Sequence, residues 1–435
     1  MFLMVILQKQ IDCLKLYKNI LFLVVFYMIL LLFRLQNGNF YLADSLEYLK
    51  VTKHLISGNY FSTIDEVVIK RPIIYPLFLA LTLTQNSFVI LFFQAVLLFF
   101  TFNIFIKIIK FHKLEFNLLL IIFILCTPAI FIYSQLVMSE LLVLFFLTLL
   151  LHLFLVNFSW DKIKYIQIIL MLLAFIKPVF YPFVFINFIV FVYYFFNKRK
   201  FNYWIFLPVL SVLLSLNYNY SRFGIKEFSS IENQNLIYYN LYYFKSNKQS
   251  KAIADTWIKE VEKNVGNLNS KQQNIKYKQI AKHEISQNIV SYSTYHFLTG
   301  IRGIFDPGRF DLMTFVVKED GKQGFLEILN GNKSWKSLFN NPKIIFIYFL
   351  LFLIFISLIV KWLYFFKYFL NSKRSFNQYY FLILIFYYIL VTGPVNCSRY
   401  MMPLQLILIT FAMLSIKEFK TKHASKNQSD CNIST

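Results

Sequence analysis

Residues 344–360 read IIFIYFLLFLIFISLIV and contain no charged side chain. As a helix, a run of about 17 apolar residues is long enough to cross the hydrocarbon core of a bilayer. Similar runs recur along the chain, whose 435 residues are 58% hydrophobic and only 15% charged. A soluble domain is nearer about 45–50% apolar and about 25% charged. The sequence therefore predicts an integral membrane protein.

The apolar runs predict an all-α polytopic bundle of about ten transmembrane helices. The expected spans lie near 19–34, 87–106, 117–134, 138–157, 163–177, 179–197, 202–218, 343–364, 377–393 and 400–417. The expected divisions are an N-terminal transmembrane core (1–217), an extracytoplasmic loop domain (218–342), C-terminal transmembrane helices (343–420) and a polar cytoplasmic tail (421–435).

Basic residues predict the orientation of this bundle. Short loops rich in Lys and Arg stay in the cytoplasm, and clusters such as 198–200 and 417–422 fall on the same side as the N-terminal lysines. Both termini are then cytoplasmic in a cell (inner) membrane protein. Three segments are then expected to face outward: the loop 35–86, the short turn near 134–139 and the long segment 218–342.

The outward segment 218–342 is predicted to contain amphipathic helices around 252–265 and 272–291. Ile275, Ala281, Ile285 and Ile289 recur there at near-helical spacing, which indicates one buried face.

Composition also argues against several kinds of partner. The net charge of +23 does not indicate a nucleic-acid partner, because the basic residues are dispersed at the ends of apolar segments. The four cysteines and six histidines show no spacing typical of a metal site. No Gly-rich phosphate loop is present, so nucleotide-driven transport has no support.

The first outward loop, 35–86, carries the most informative polar residues. It contains ADSLEY at 43–48, shortly after the first predicted span. Asp44 and Glu47, three residues apart, fit a capping box that opens a helix ending before Gly58. The Asp44 carboxylate, near the outer interface, also fits a general base. The two interpretations are compatible.

Arg71 precedes a short apolar stretch in the same loop. Residues 73–83 are too few to span, and Tyr75-Pro76 is expected to interrupt them, so a re-entrant or interfacial helix is predicted. Arg71 is then either an anchor that reaches the lipid headgroups or a phosphate contact, for which its forked guanidinium is suited.

Four later residues lie at predicted outer ends of spans. Glu140 begins the fourth span, where a carboxylate also gains from the helix dipole. Lys177 precedes a proline between two spans and fits an anchored turn. Arg399-Tyr400 opens the last span from the outside, where an arginine defies the positive-inside trend and indicates a function.

In this order, the residues make the chain resemble the GT-C superfamily of membrane glycosyltransferases. The resemblance is to bacterial relatives of dolichyl-phosphate-mannose–protein mannosyltransferases and lipid A aminoarabinose transferases. Such proteins carry an Asp in the first outer loop, then a Tyr, a Gly-x-Tyr segment and an Arg-Pro-Pro-x-Tyr-Pro-like stretch. The matching positions are Asp44, Tyr48, 58–60, 71–76, Glu140, Lys177-Pro178, Arg399-Tyr400 and Pro403.

The resemblance implies an inverting glycosyltransferase with a polyprenyl-phosphate-linked sugar as donor. Asp44 would be the general base, and the implied substrate-binding residues are Arg71, Tyr75, Glu140, Lys177, Arg399 and Tyr400. Membrane lipids surround the site, and the acceptor is a glycan, a lipid or a protein. Ile73 replaces the usual second Pro and Lys177 a commoner Arg. Metal use therefore stays open, with a divalent cation as the one candidate cofactor.

Two alternatives compete with this interpretation. A lipid or polysaccharide transporter (flippase) would place polar residues at mid-membrane beside broken helices. An O-antigen ligase or polymerase would place arginines in a large late loop, as Arg302 and Arg309 are placed here.

Overall fold

The computed structural model describes residues 20–36, 41–82, 86–156, 158–317, 342–370 and 374–433. Every regular element within these ranges is a helix, so the predicted all-α class is confirmed. The α-helices are α1 (Ile20–Gln36), α2 (Ala43–Ile56), α3 (Val67–Lys70), α4 (Ile74–Ala80), α5 (Ser87–Phe111), α6 (Leu118–Leu125), α7 (Pro128–Tyr133), α8 (Glu140–Leu155), α9 (Ile163–Ile176), α10 (Tyr181–Lys198), α11 (Phe206–Phe223), α12 (Ile231–Asn235), α13 (Tyr242–Lys248), α14 (Lys251–Val265), α15 (Ser270–Gln287), α16 (Ile289–Gly303), α17 (Arg309–Leu312), α18 (Pro342–Leu370), α19 (Phe376–Thr392), α20 (Ser398–Met401) and α21 (Gln405–Ile433).

Five helical stretches are long and apolar enough to cross a membrane, so the chain is a membrane protein. They are Ser87–Phe111, Pro178–Lys198, Ile345–Leu370, Phe376–Val395 and Ser398–Thr421. Helices α1 and α8 are also apolar but shorter. The count of ten spans stays a prediction.

The last of these stretches forms the centre of the bundle. Within its most apolar window, 89% of the Ser398–Thr421 residues are buried, against 33% for Ser87–Phe111. Helices α18 and α8 pack against it, and α5 covers α8. The polar groups at the N-terminal end of this central stretch are therefore enclosed by its neighbours.

The predicted span 117–134 is broken in the structure. Helix α6 ends at Leu125 and α7 begins at Pro128. Because proline has no N–H, it cannot continue the ladder of the preceding helix. The Thr127 N–H closes the end of α6 on the Ile124 carbonyl at 3.0 Å.

The predicted re-entrant stretch 73–83 contains the short helix α4, which covers Ile74–Ala80. Tyr75 and Pro76 are buried and lie in its first turn. The expectation that they interrupt the helix was wrong, because a proline in the first turn removes only an N–H that has no partner there.

Helices α12 to α16 enclose a second, smaller core, formed by Ile237, Leu241, Phe244, Val261, Val265, Tyr277, Ala281 and Tyr292. Helices α14 and α15 match the two predicted amphipathic segments, although the second segment ends at Gln287 and is followed by α16. The predicted buried face was only partly right. Ile275 and Ile289 are exposed, whereas Asn274 and Tyr277 are buried with Ala281.

Candidate functional site

Helix α2 presents Asp44 and Glu47 to the interior without using either as a cap. The first backbone donor, the Leu42 N–H, bonds to the Ser45 hydroxyl at 2.9 Å. The predicted capping box of Asp44 and Glu47 was therefore wrong, because Ser45 already takes its role. The predicted end before Gly58 is confirmed, since α2 stops at Ile56 and Gly58 has a φ of +72°.

Asp44 lies between two arginines. Arg71 Nη2 donates to its Oδ1 at 2.6 Å, and Arg399 Nη2 donates to its Oδ2 at 2.5 Å. Arg71 is just beyond α3, where the backbone turns into an extended conformation before Pro72. Arg399 is in α20, at the start of the central stretch. Three separate segments thus meet at one carboxylate.

Glu47, one turn further along α2, pairs with Lys70 at 2.5 Å and with Arg71 Nε at 2.6 Å. Arg71 is only 9% exposed. Its side chain is therefore held inside the protein by two carboxylates, and the interpretation of Arg71 as a headgroup anchor was wrong.

Glu140 is the first residue of α8 and is fully buried. Its Oε1 accepts from Arg399 Nε at 2.6 Å and from Lys177 Nζ at 3.1 Å. Lys177 closes α9 in an extended conformation before Pro178, as the predicted turn requires. Arg399 therefore bridges Asp44 and Glu140.

These contacts form one continuous series of alternating charges, which we call the ion-pair chain. Its members in order are Lys70, Glu47, Arg71, Asp44, Arg399, Glu140 and Lys177. Four cations face three carboxylates, so the series carries one surplus positive charge. Anions that reach it meet two guanidinium groups, each with a planar fork of donors.

The two predicted tyrosines lie beside this chain. Lys177 Nζ lies 4.6 Å from the ring centre of Tyr400. The Tyr75 ring packs edge-on against Tyr48 at 4.8 Å, and Arg71 lies over the Tyr48 ring at 5.2 Å. All seven residues that the sequence singled out for the site thus meet in one place.

The charge state of Asp44 follows from these partners. Burial by itself raises the pKa of the carboxyl, but Arg399 and Arg71 outweigh burial and lower the pKa to about 2. Asp44 is therefore ionised at neutral pH and, while both arginines hold it, is a weak proton acceptor.

Within the described ranges, no group of three or more His, Cys, Asp or Glu side chains could hold a metal ion. The carboxylates of the ion-pair chain are instead occupied by lysine and arginine. Use of a divalent cation stays a prediction without a proposed ligand set.

The sequence analysis missed Asp306 and Asp311, which bond to Ser398, the neighbour of Arg399. The Asp-Pro-Gly sequence at 306–308 is a strong turn signal and could have drawn attention to them. Arg302 and Arg309, which the ligase alternative uses, are not members of the ion-pair chain.

A groove of about 290 Å³ is lined by residues on both sides of Arg71 in the sequence. Its walls are mostly apolar and include Ile69, Pro72 and Ile73 from the Arg71 segment and Leu214 and Phe223 from α11. A long apolar ligand could therefore lie against Pro72, the neighbour of Arg71 in the sequence.

In the described part of the chain, Lys198 and Lys417 lie at the opposite ends of their helical stretches from Pro178 and Arg399. Lys417 Nζ donates to the His112 carbonyl at 2.7 Å, which brings the ends of the central stretch and of α5 together. A straight helix from Arg399 to Lys417 rises about 27 Å, close to the thickness of a bilayer core.

Comparison of the chain with protein-family models, with curated protein sequences and with solved structures gives no match.

Proposed function

We propose that the chain is an inverting glycosyltransferase that moves a sugar from a polyprenyl-phosphate donor to an acceptor at the outer face of the membrane. The supporting observation is the placement of Asp44 between Arg71 and Arg399 at one end of an apolar bundle. A base and two anion-binding groups at membrane-interface depth suit a donor whose tail stays in the lipid. About ten spans and an outward segment 218–342 complete this proposal.

The donor phosphate would enter beside the two arginines. A sugar linked to a polyprenyl phosphate is a phosphodiester with one negative charge, which the surplus positive charge of the ion-pair chain would neutralise. The forked guanidinium of Arg71 or Arg399 can bind two phosphate oxygens at once. The polyprenyl tail would follow the apolar groove beside Pro72 and Ile73.

Phosphate binding would also activate Asp44. When the arginines turn toward the phosphate, the carboxylate loses the partners that lower its pKa and becomes a better proton acceptor. The acceptor hydroxyl or amine then attacks the anomeric carbon and gives its proton to Asp44. The bond between the anomeric carbon and the phosphate oxygen breaks, and the arginines stabilise the polyprenyl phosphate that leaves.

Glu140, Lys177, Tyr75 and Tyr400 would shape the space around the sugar. Lys177 and Arg399 share the Glu140 carboxylate, so this residue fixes two cations at once. The Tyr400 ring beside Lys177 offers a flat apolar surface on which a sugar face can pack.

One observation favours the transporter alternative. Lys361 in α18 is fully buried at the break between α6 and α7, where it donates to Thr127 Oγ1 at 3.0 Å and Gln405 Oε1 at 3.2 Å. Within the described ranges it has no ion pair. A buried cation at a broken helix is typical of transport sites.

The deciding experiment uses the purified full-length protein in liposomes that contain a radiolabelled polyprenyl-phosphate sugar and membrane extract as acceptor. We expect labelled product and free polyprenyl phosphate from the parent protein, and neither from Asp44→Asn. Movement of the labelled lipid between leaflets with its sugar–phosphate bond intact would instead support the transporter. No change in the labelled lipid would contradict both.

A further inference from the structure

The turn between α16 and α17 forms a hydrogen bond to Ser398, the residue that precedes Arg399. Asp306 Oδ1 accepts from the Gly308 N–H at 3.1 Å, and its Oδ2 accepts from the Ser398 N–H at 2.8 Å. Gly308 has a φ of +81°, a conformation that glycine adopts without strain. The turn is thus shaped to present both aspartates to Ser398.

Asp311 also binds Ser398. Its Oδ2 accepts from the Ser398 hydroxyl at 2.5 Å and its Oδ1 from the Tyr133 hydroxyl at 2.6 Å. Asp311 is 1% exposed and, in the described part of the chain, forms no ion pair. We call the residues 306–311 together with Ser398 and Tyr133 the Ser398 clasp.

Helix α16 docks tightly beside the clasp. Asn396 donates to the Gly300 carbonyl at 2.8 Å, and a Cβ added to Gly303 would lie 2.5 Å from the Asn396 side chain. The segment 218–342 therefore contacts the residues before Arg399 at two points, Asn396 and Ser398. Neither contact involves Asp44 or Arg71.

We propose that Asp311 is a positioning residue whose ionised carboxylate holds Ser398, and through it Arg399, in place for an anionic phosphate. This inference rests on the proposed function, because it assigns the phosphate to Arg399. A buried carboxylate with only hydroxyl partners is unfavourable for folding, so a role at the adjacent site gives a reason for its presence.

The charge of Asp311 changes close to physiological pH. Burial raises the pKa of Asp311 to about 6, although Ser398 and Tyr133 lower it. Of the other groups that face it, Asp306 raises the pKa, Arg399 lowers it and the Cys397 thiol lies beside it. Hydrogen bonds to an ionised carboxylate are roughly twice as strong as bonds to a neutral group. The hydrogen bonds that Asp311 accepts from Ser398 and Tyr133 are therefore stronger above pH 6 than below it.

The test measures binding of a fluorescent short-chain polyprenyl phosphate to the purified full-length protein between pH 5 and pH 8. The probe is used as its methyl phosphodiester, because a phosphate monoester loses its second proton at about pH 6 whereas the diester keeps one negative charge throughout. For the parent, we expect the Kd to rise about threefold to tenfold at the acid end, as one charge-assisted bond weakens to a neutral one. Asp311→Asn retains the shape and should give the acid-end Kd at every pH.

Asp255→Asn is the matched control, because Asp255 also accepts a tyrosine hydroxyl, from Tyr242 at 2.6 Å, in the polar segment. It should leave the pH dependence unchanged. A pH-independent Kd in the parent, or a pH-dependent Kd in Asp311→Asn, would overturn the inference.

Infrared titration of the same proteins needs no ligand. Burial also raises the pKa of Glu232, to about 7, so the titration is done in a Glu232→Gln background. In that background, the protein with Asp311 and its Asp44→Asn variant should each show a buried protonated carboxyl that ionises near pH 6, and Asp311→Asn should lack it. If that signal persists in Asp311→Asn, the inference fails even if the protein binds the probe. If the parent binds no polyprenyl phosphate at any pH, the proposed function fails, and the phosphate role of the clasp fails with it.

Discussion

Arg399 and Asp44 form a direct ion pair at 2.5 Å although they lie 355 residues apart in the sequence. The same guanidinium reaches Glu140 at 2.6 Å. One side chain therefore joins the first polar loop, the start of α8 and the start of the central helix. Its geometry depends on all three segments, and so does any reaction that uses it.

Asp44→Asn should lower sugar transfer by about 10²–10⁴-fold, because an amide cannot accept the proton of the acceptor. Since Asn leaves Arg71 and Arg399 without their shared carboxylate, the free energy of unfolding should also fall by about 1–3 kcal/mol. This is less than for a fully buried pair, because a quarter of the Asp44 side chain is exposed. Initial rates and thermal unfolding in detergent measure the two effects.

Glu47→Gln tests whether the rate depends on Asp44 as a base or on the charges of the ion-pair chain. It removes the charged partner of Lys70 and Arg71 but leaves Asp44 intact, so its stability cost should be similar and its loss of rate modest. Equal losses of rate in Asp44→Asn and Glu47→Gln would show that the charge network, and not a proton acceptor at Asp44, limits the reaction.

Arg399→Lys should raise the KM for the lipid donor by about tenfold or more. A lysine cannot hold Glu140 while also presenting two donors to a phosphate, because it lacks the planar fork. Steady-state kinetics with varied donor test this expectation. Arg374→Lys is a suitable control, since Arg374 forms a bidentate pair with Glu418 and belongs neither to the ion-pair chain nor to the groove.

Asp311→Asn should stabilise the protein above pH 6. A carboxyl whose pKa rises from 3.8 unfolded to about 6 folded binds its proton more tightly in the folded state. The free energy of unfolding therefore falls as the pH rises from about 4 to about 6, by about 3 kcal/mol. The variant lacks this loss, so its melting temperature should exceed that of the parent at pH 8 and approach it at pH 4. A variant less stable than the parent at pH 8 would contradict this assignment.

Lys361→Met distinguishes the two candidate functions. For a transferase, Lys361 is a buried cation away from the reacting groups, so an apolar side chain of similar length should raise stability and keep the transfer rate. For a transporter, loss of the cation should abolish lipid movement. Transfer and movement between leaflets can be measured on the same liposomes.

The orientation can be tested without any substrate. A reporter that is active only in the cytoplasm, fused after Asn267, should be silent if the polar segment lies outside. A strong signal would reverse the orientation and place the ion-pair chain at the cytoplasmic face.

The sequence predicted which residues form the site, but it did not predict how they pair with one another. Charged residues beside apolar runs are costly, and that argument selected Asp44, Arg71, Glu140, Lys177 and Arg399, which the structure brings together. It could not assign partners, because pairs such as Asp44 and Arg399 depend on the packing of distant helices. The capping box failed for a local reason, since Ser45 lies where Glu47 was expected to act.

The fold, too, was predicted from the sequence only in part. Hydropathy located the long helices and the all-α class, but hydropathy sums over a window and does not register a single break. Pro128 splits the span 117–134, and Pro76 lies in the first turn of a helix that it was expected to interrupt. In the segment 218–342, the near-helical spacing of the isoleucines predicted the helices. It did not predict which face is buried, because Asn274 and Tyr277 are packed inward.

The length of chain between Asp44 and Arg399 also has a meaning for biogenesis. While the polypeptide emerges from the ribosome, Asp44 and Glu140 enter the membrane region long before their shared arginine is synthesised. A half-made bundle therefore holds two separate pairs, Asp44 with Arg71 and Glu140 with Lys177, without the arginine that joins them. Any truncation before Arg399 leaves both carboxylates without this shared partner, and cellular surveillance that detects incompletely paired charge would recognise such a chain as unfinished.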